Sequence, residues 1–140
     1  MNAEQAAKAV SPALPFSMAV QSGPYVFVSG QGGIDPDTGK PAGDSLEEQT
    51  ALTMENVRRV LAMARLELKD IVKVTAYLSD PDDYPAFNAL YRTYFPEGYP
   101  ARTLVYCSLN YDLRVELDVI AAIGPDAGTR IYYPKEEPRP

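Results

Sequence analysis

The chain contains no histidine, and a single cysteine among its 140 residues. The first absence removes the side chain that most often moves protons near neutral pH. Any acid–base chemistry therefore falls to carboxylates, tyrosines, lysines or bound water. The second excludes an intramolecular disulfide, and with no CxxC or HExxH spacing no zinc site is readable. Basic residues are outnumbered, 13 Lys and Arg against 19 Asp and Glu, for a net charge of −6. That balance argues against broad docking on nucleic acid, which depends on neutralising phosphates. It leaves room for a local cationic spot that holds a small anion. No charged-then-apolar leader opens the chain, and no apolar run approaches the ~20 residues needed to cross a bilayer. The expectation is a soluble, cytoplasmic protein with no membrane partner.

What is present fits one domain, with an ordinary apolar content of 46%. Residues 1–123 read as that domain, and 124–140 as an extended or partly disordered, proline-rich extension. After a short Ala-rich start, Phe16 to Val20 reads as a strand, turning at Ser22-Gly23-Pro24 into a firmer one, Tyr25 to Ser29, stopped by Gly30. Gly32 to Gly39 is dense in turn residues. Ser45-Leu46-Glu47-Glu48 is a capping box that opens a helix to about Arg65, with an apolar stripe through Leu46, Leu52, Val57, Val60, Leu61 and Ala64. From Ile71 to Ser79 the period changes to two, with Val72, Val74, Ala76 and Leu78 on one face and Lys73, Thr75 and Tyr77 on the other. Asp80 to Asp83 caps a second helix from Tyr84 to about Phe95. Two strands follow, Arg102–Leu109 and Leu113–Ile123, read as a hairpin about the Asn110-Tyr111-Asp112 turn.

The order β-β-α-β-α-β-β predicts an α+β fold, a mixed sheet with two helices on one face. The other face offers Lys73, Thr75 and Tyr77 beside Arg114, Glu116 and Asp118. It is too polar for a dry core and too apolar for plain solvent, as a face shared inside an oligomer would be.

Several residues are candidates for chemistry. Arg102, in Pro100-Ala101-Arg102-Thr103, can hold a carboxylate bidentately, and can equally be a surface arginine at a strand end. Glu116 lies in an apolar strand, where a desolvated carboxylate with a raised pKa suits proton transfer; a solvated face shared with Arg114 and Asp118 is the plainer alternative. Ser29-Gly30-Gln31-Gly32-Gly33 resembles a phosphate loop, but no helix follows closely enough to supply a dipole. Gly30 can instead let backbone amides approach a ligand. Asn88 is either a contact on an exposed helix face or a site residue. Cys107 has no histidine to activate it and reads as packing.

Taken together, these elements are more specific than any one alone. Val26-Phe27-Val28-Ser29-Gly30-Gln31, Glu48-Gln49-Thr50, Asn56-Val57, Asp70-Ile71-Val72-Lys73-Val74-Thr75, Phe87-Asn88-Ala89-Leu90-Tyr91, Tyr94-Phe95, Pro100-Ala101-Arg102-Thr103 and Val115-Glu116-Leu117 occur in one characteristic order. In that order residues 16–123 resemble the reactive intermediate deaminase (Rid, or YjgF) family. The resemblance implies a chorismate-mutase-like fold and a homotrimer with clefts between subunits. It implies that Arg102 grips the carboxylate of a small 2-imino acid, the tautomer of an enamine, while Glu116 holds the water that attacks it, giving a 2-oxo acid and ammonia. Ser29, Gly30 and Asn88 match positions lining the same cleft, and no metal or organic cofactor is implied.

Departures are visible too. Phe16 stands where the family carries a tyrosine, which removes a hydroxyl contact to substrate. The stretch from Arg102 to Glu116 is a residue short, and Leu109-Asn110 replaces a leucine–proline turn. Arg65 occupies a helix-end position often held by glycine. These departures motivate a second reading, a non-catalytic small-molecule-binding or regulatory trimer of the same fold. RNA cleavage, a third, is disfavoured by the acidic charge and the missing histidine.

Overall fold

The computed structural model describes residues 14–124 and 129–134. The Ala-rich start and most of the C-terminal extension lie outside the described residues. Strand β1 (Ala19–Ser22) pairs antiparallel with β2 (Tyr25–Gly32) through a two-residue Gly23-Pro24 link. Gly23 sits at φ 58°, the positive value that the first central residue of such a tight hairpin turn requires. The first strand thus begins at Ala19 rather than at Phe16. The second does not stop at Gly30 but continues to Gly32 across a register irregularity between Val28 and Gln31. An extra residue in a strand bends it and re-aims its side chains, and here the bend falls on Ser29-Gly30.

Helix α1 (Leu46–Met63) starts as the capping box predicts. The Glu48 amide donates to Ser45 Oγ at 3.1 Å, and that hydroxyl donates to Glu48 Oε1 at 2.9 Å. At its far end Arg65 takes φ 59°, Arg65 N–H donates to Ala62 O at 3.0 Å, and Leu66 N–H donates to Leu61 O at 3.0 Å. This is the Schellman arrangement, whose left-handed residue is ordinarily glycine because a Cβ is strained there. Replacing Arg65 by Gly is expected to stabilise the fold by roughly 0.5–1 kcal/mol, read as a higher urea midpoint at unchanged m value.

Strand β3 (Ile71–Leu78) follows, then α2 (Tyr84–Arg92), β4 (Ala101–Tyr106) and β5 (Val115–Ala122). Asp80 accepts from Asp82 N–H at 2.9 Å to open the turn before α2. Regular helix ends at Arg92, and tighter i→i+3 bonds carry the chain to Phe95. The sheet has five strands in the order β1-β2-β5-β3-β4. It is mixed: β3 and β4 are parallel, and the other pairs are antiparallel. The expected hairpin between the last two strands does not form. β4 lies at the sheet edge beside β3, while β5 inserts between β2 and β3. The Asn110–Asp112 turn therefore carries the chain past β3 rather than folding one strand back on the other.

The core fills the space between one sheet face and the two helices. Val26, Val74, Ala76, Leu78, Val115 and Leu117 from the strands meet Met54, Val57, Leu61 and Phe87 from the helices, all almost fully buried. Two polar anchors hold the chain after β2 against α1. Asn56 Nδ2 donates to Gly32 O at 2.9 Å and to Ile34 O at 2.8 Å. Gln49 accepts from Arg114 N–H at 2.7 Å and donates to Gly43 O at 2.8 Å. A Cβ on Gly33 would stand 2.8 Å from the Gln49 carbonyl oxygen, so only glycine lets loop and helix approach this closely. The opposite sheet face is uncovered: Val20, Tyr25 and Phe27 are 53%, 45% and 43% exposed. Among the described residues no helix is long and apolar enough to cross a membrane.

Candidate functional site

The uncovered face gathers one group of candidates. Alternation along β5 buries Val115, Leu117 and Val119 and turns Glu116 and Asp118 the other way. Register sets Glu116 beside Tyr77 and Asp118 beside Thr75, so the polar face expected for β3 and β5 is formed. Tyr77 donates its hydroxyl to Asp118 Oδ2 at 2.8 Å, and Lys73 donates to Thr103 Oγ1 at 2.7 Å. Arg114 is engaged elsewhere: it pairs with Asp83 at 2.7 Å and also donates to Asp44 O. Glu116 is half-buried. Burial, and secondarily the nearby Asp118 charge, raise its pKa above the ordinary glutamate value. Its carboxylate leans on Gly30: a Cβ there would meet Oε2 at 3.0 Å and the carboxyl carbon at 3.1 Å. Ser29 donates its hydroxyl to Ser17 O at 2.6 Å, which ties the chain just after Phe16 to the bend in β2. Phe16 itself is exposed.

A second group lies on the helix side. Arg102 is paired in register with Val74, whose side chain is fully buried under the helices, so the arginine points to that face. Its guanidinium stacks 4.8 Å from the Tyr91 ring centroid and 5.8 Å from that of Phe87. Tyr91 is also packed against Phe87 at 5.6 Å and Phe95 at 4.8 Å between centroids. Such cation–π contact holds the guanidinium against the rings, where its fork of donors suits a flat anion. A cleft of about 200 Å³ opens there, lined by Asn88, Tyr91, Arg92, Tyr99, Pro100 and Arg102. A neighbouring hollow shares Arg92 and Tyr99 and is bounded by Gly98 and Tyr133. Gly98 sits at φ 143°, with Ile131 and the Tyr133 hydroxyl where a side chain would go, so residues 129–134 pass directly over it.

The structure thus brings Ser29, Gly30 and Glu116 together, and separately Asn88 and Arg102. It does not bring Arg102 and Glu116 together, because they occupy opposite faces of the sheet. The hairpin expected of the last two strands is corrected by the parallel placement of β4 beside β3. Cys107, read as packing, is exposed beyond the end of β4. Tyr91 went unnoticed as a site residue. Its only sequence signal is the i, i+4, i+8 spacing of Phe87, Tyr91 and Phe95, which equally describes a core stripe. Among the described residues no cluster of three or more Cys, Asp or Glu side chains is placed to hold a metal ion.

With this geometry in hand, relatives can be compared. The family described as endoribonuclease L-PSP matches residues 6–123. This chain belongs to that family, the family of the Rid (YjgF) proteins. A RutC family protein of Pyrococcus abyssi is 42% identical over 115 residues, covering 81% of this chain and 91% of its own. A mouse 2-iminobutanoate/2-iminopropanoate deaminase is 34% identical over 112 residues, covering 79% and 83%. The crystal structure of Escherichia coli TdcF with bound serine matches with a TM-score of 0.73 at 32% identity, covering 79% of this chain and 89% of that one. The Rid fold accordingly accounts for the mixed sheet and its two helices. Residues 129–134 lie beyond the stretch the family match covers.

Proposed function

We propose that this Rid-family chain hydrolyses reactive 2-imino acids to 2-oxo acids and ammonia, in sites built between the subunits of a homotrimer. The observation that carries the reading is the half-buried Glu116 carboxylate, packed on Gly30 with its pKa raised, in a chain that has no histidine. A carboxylate of that kind is a proton acceptor poised for water activation. Arg102, stacked on Tyr91 at the rim of an open cleft, supplies the grip for the substrate carboxylate. Since the sheet separates the two within one chain, a site using both takes Arg102 and Asn88 from one subunit and Ser29, Gly30 and Glu116 from its neighbour. Val20, Tyr25 and Phe27 leave an apolar surface on the uncovered face, as expected of a face buried by assembly.

In the reaction the Glu116 carboxylate takes a proton from water as its oxygen attacks the imine carbon. The carboxyl group then returns that proton to nitrogen, giving a carbinolamine. The carboxylate next relays the hydroxyl proton to the amine as the carbon–nitrogen bond breaks, releasing ammonia and leaving a 2-oxo acid. Phe16, beside Ser17, adds an apolar contact where related sites place a hydroxyl. The relatives support the reaction class: several carry deaminase names at 34% identity. The serine bound to TdcF bears its nitrogen next to a carboxylate, as a 2-imino acid does. RNA cleavage, which the family description suggests, fits poorly with a net charge of −6 and no histidine.

The test couples this protein to a serine or threonine dehydratase and follows 2-oxo acid release, with spontaneous decay of the imine subtracted. Faster release, lost in Arg102→Ala, is the expected result. No acceleration by the assembled protein, together with Arg102-dependent binding of a 2-oxo acid, would instead favour the binding-only trimer.

A further inference from the structure

We propose that Tyr91 is a substrate-binding residue whose hydroxyl donates to the carboxylate held by Arg102, completing a three-donor anion site together with the guanidinium edge. Tyr91 is only 5% exposed, yet its hydroxyl has no hydrogen-bond partner among the described residues. A buried hydroxyl left unpaired is unfavourable, and a phenylalanine would pack against Phe87 and Phe95 equally well without it. The ring lines the cleft that Arg102 and Asn88 share, and its face carries the guanidinium at 4.8 Å. Asn88, one turn earlier on α2, has its Oδ1 buried and equally unpartnered. Two orphaned polar atoms beside a stacked arginine, all lining one cleft, are what a site holds ready for a ligand with both an anionic and an N–H group. An ordinary core tyrosine lacks this second orphan and the cation.

The protonation state is suited to donation. Burial pushes the Tyr91 phenol up to about 12, with Arg102 opposing the shift, so the group keeps its proton throughout the neutral range. It acts as a fixed donor and takes no part in proton transfer. Asn88 Oδ1 is left to accept from the imine nitrogen, on the side of the substrate away from the grip.

This inference rests on Arg102 being the carboxylate grip, so its test reads equilibrium binding apart from turnover. The measurement is titration of the assembled wild-type protein, Tyr91→Phe and Tyr91→Leu with 2-oxobutanoate, beside thermal unfolding of each. Tyr91→Phe keeps the ring and loses one bond to a charged acceptor, so Kd is expected to rise about tenfold while Tm stays level or increases. Tyr91→Leu, which also removes the stack, is expected to weaken binding further. In the dehydratase-coupled assay Tyr91→Phe should raise KM and leave kcat nearly unchanged. Weakened binding in Tyr91→Phe without any turnover in wild type would support the Tyr91 role while refuting the deaminase reading. An unchanged Kd in Tyr91→Phe, or a lowered Tm with unchanged Kd, would reduce Tyr91 to packing and overturn the proposal. So would failure of the wild-type protein to bind 2-oxobutanoate at millimolar concentration.

Discussion

Replacing Glu116 by Gln is expected to lower kcat on the order of 10²–10⁴-fold, because the amide cannot accept the proton of the attacking water. The same substitution should leave the fold intact or make it more stable. A glutamate whose folded pKa is raised is disfavoured in its charged form, so it costs stability above that pKa, and the cost disappears as pH falls through it. Glu116→Gln should therefore raise Tm at neutral pH, with the gain fading in acid as the wild-type carboxyl takes up its proton. Activity of the wild type follows the opposite sense. The carboxylate is the working form, so the acid limb of kcat against pH should lie above the ordinary glutamate range, as burial and Asp118 dictate. A flat profile through that region, or a variant with full activity, would remove Glu116 from the chemistry.

Arg102→Ala is expected to reduce kcat/KM by about 10²–10⁴-fold, since charge-assisted bonds contribute roughly 1.5–3 kcal/mol each and the guanidinium offers two. The loss should appear chiefly in KM, because the grip is made in the ground state as well as in the transition state. Lysine should rescue little: it carries the charge but neither the fork nor the flat face that stacks on Tyr91. Steady-state kinetics on dehydratase-generated imine, with circular dichroism to check the fold, would decide this. A variant that keeps its KM would show that the carboxylate is held elsewhere.

Much of this arrangement is legible in the residues. The period-two patterns of Val74–Leu78 and Val115–Ala122 specify which side chains meet the helices, so Glu116 and Asp118 could be assigned to the polar face before any coordinates. At the start of β3 a register irregularity buries Ile71 in place of the expected Val72. Ser45 and Glu48 announce the start of α1, because a cap is a local event. The partner of β4 is not local. Turn residues at Asn110–Asp112 look the same whether they reverse a hairpin or lead past an intervening strand, and only packing of the whole sheet decides. That choice puts Arg102 under α2 and away from Glu116. A hairpin of the last two strands would have let both border one cleft along the sheet, and the placement of β4 beside β3 rules that geometry out. Tyr91 escaped notice because an aromatic at helical spacing announces a core position, and its unpartnered hydroxyl exists only in three dimensions.

The most direct test of the composite site mixes the two impaired variants, Arg102→Ala and Glu116→Ala, after partial denaturation and reassembly, and assays them at substrate well below the KM of Arg102→Ala. If each site draws Arg102 from one subunit and Glu116 from the next, random one-to-one mixing restores about a quarter of the wild-type sites. The account predicts that recovery, in hybrids whose mixed composition native mass spectrometry verifies. Mixed assemblies no more active than either variant alone would contradict it, and would show that the two residues do not complete one site across neighbouring subunits.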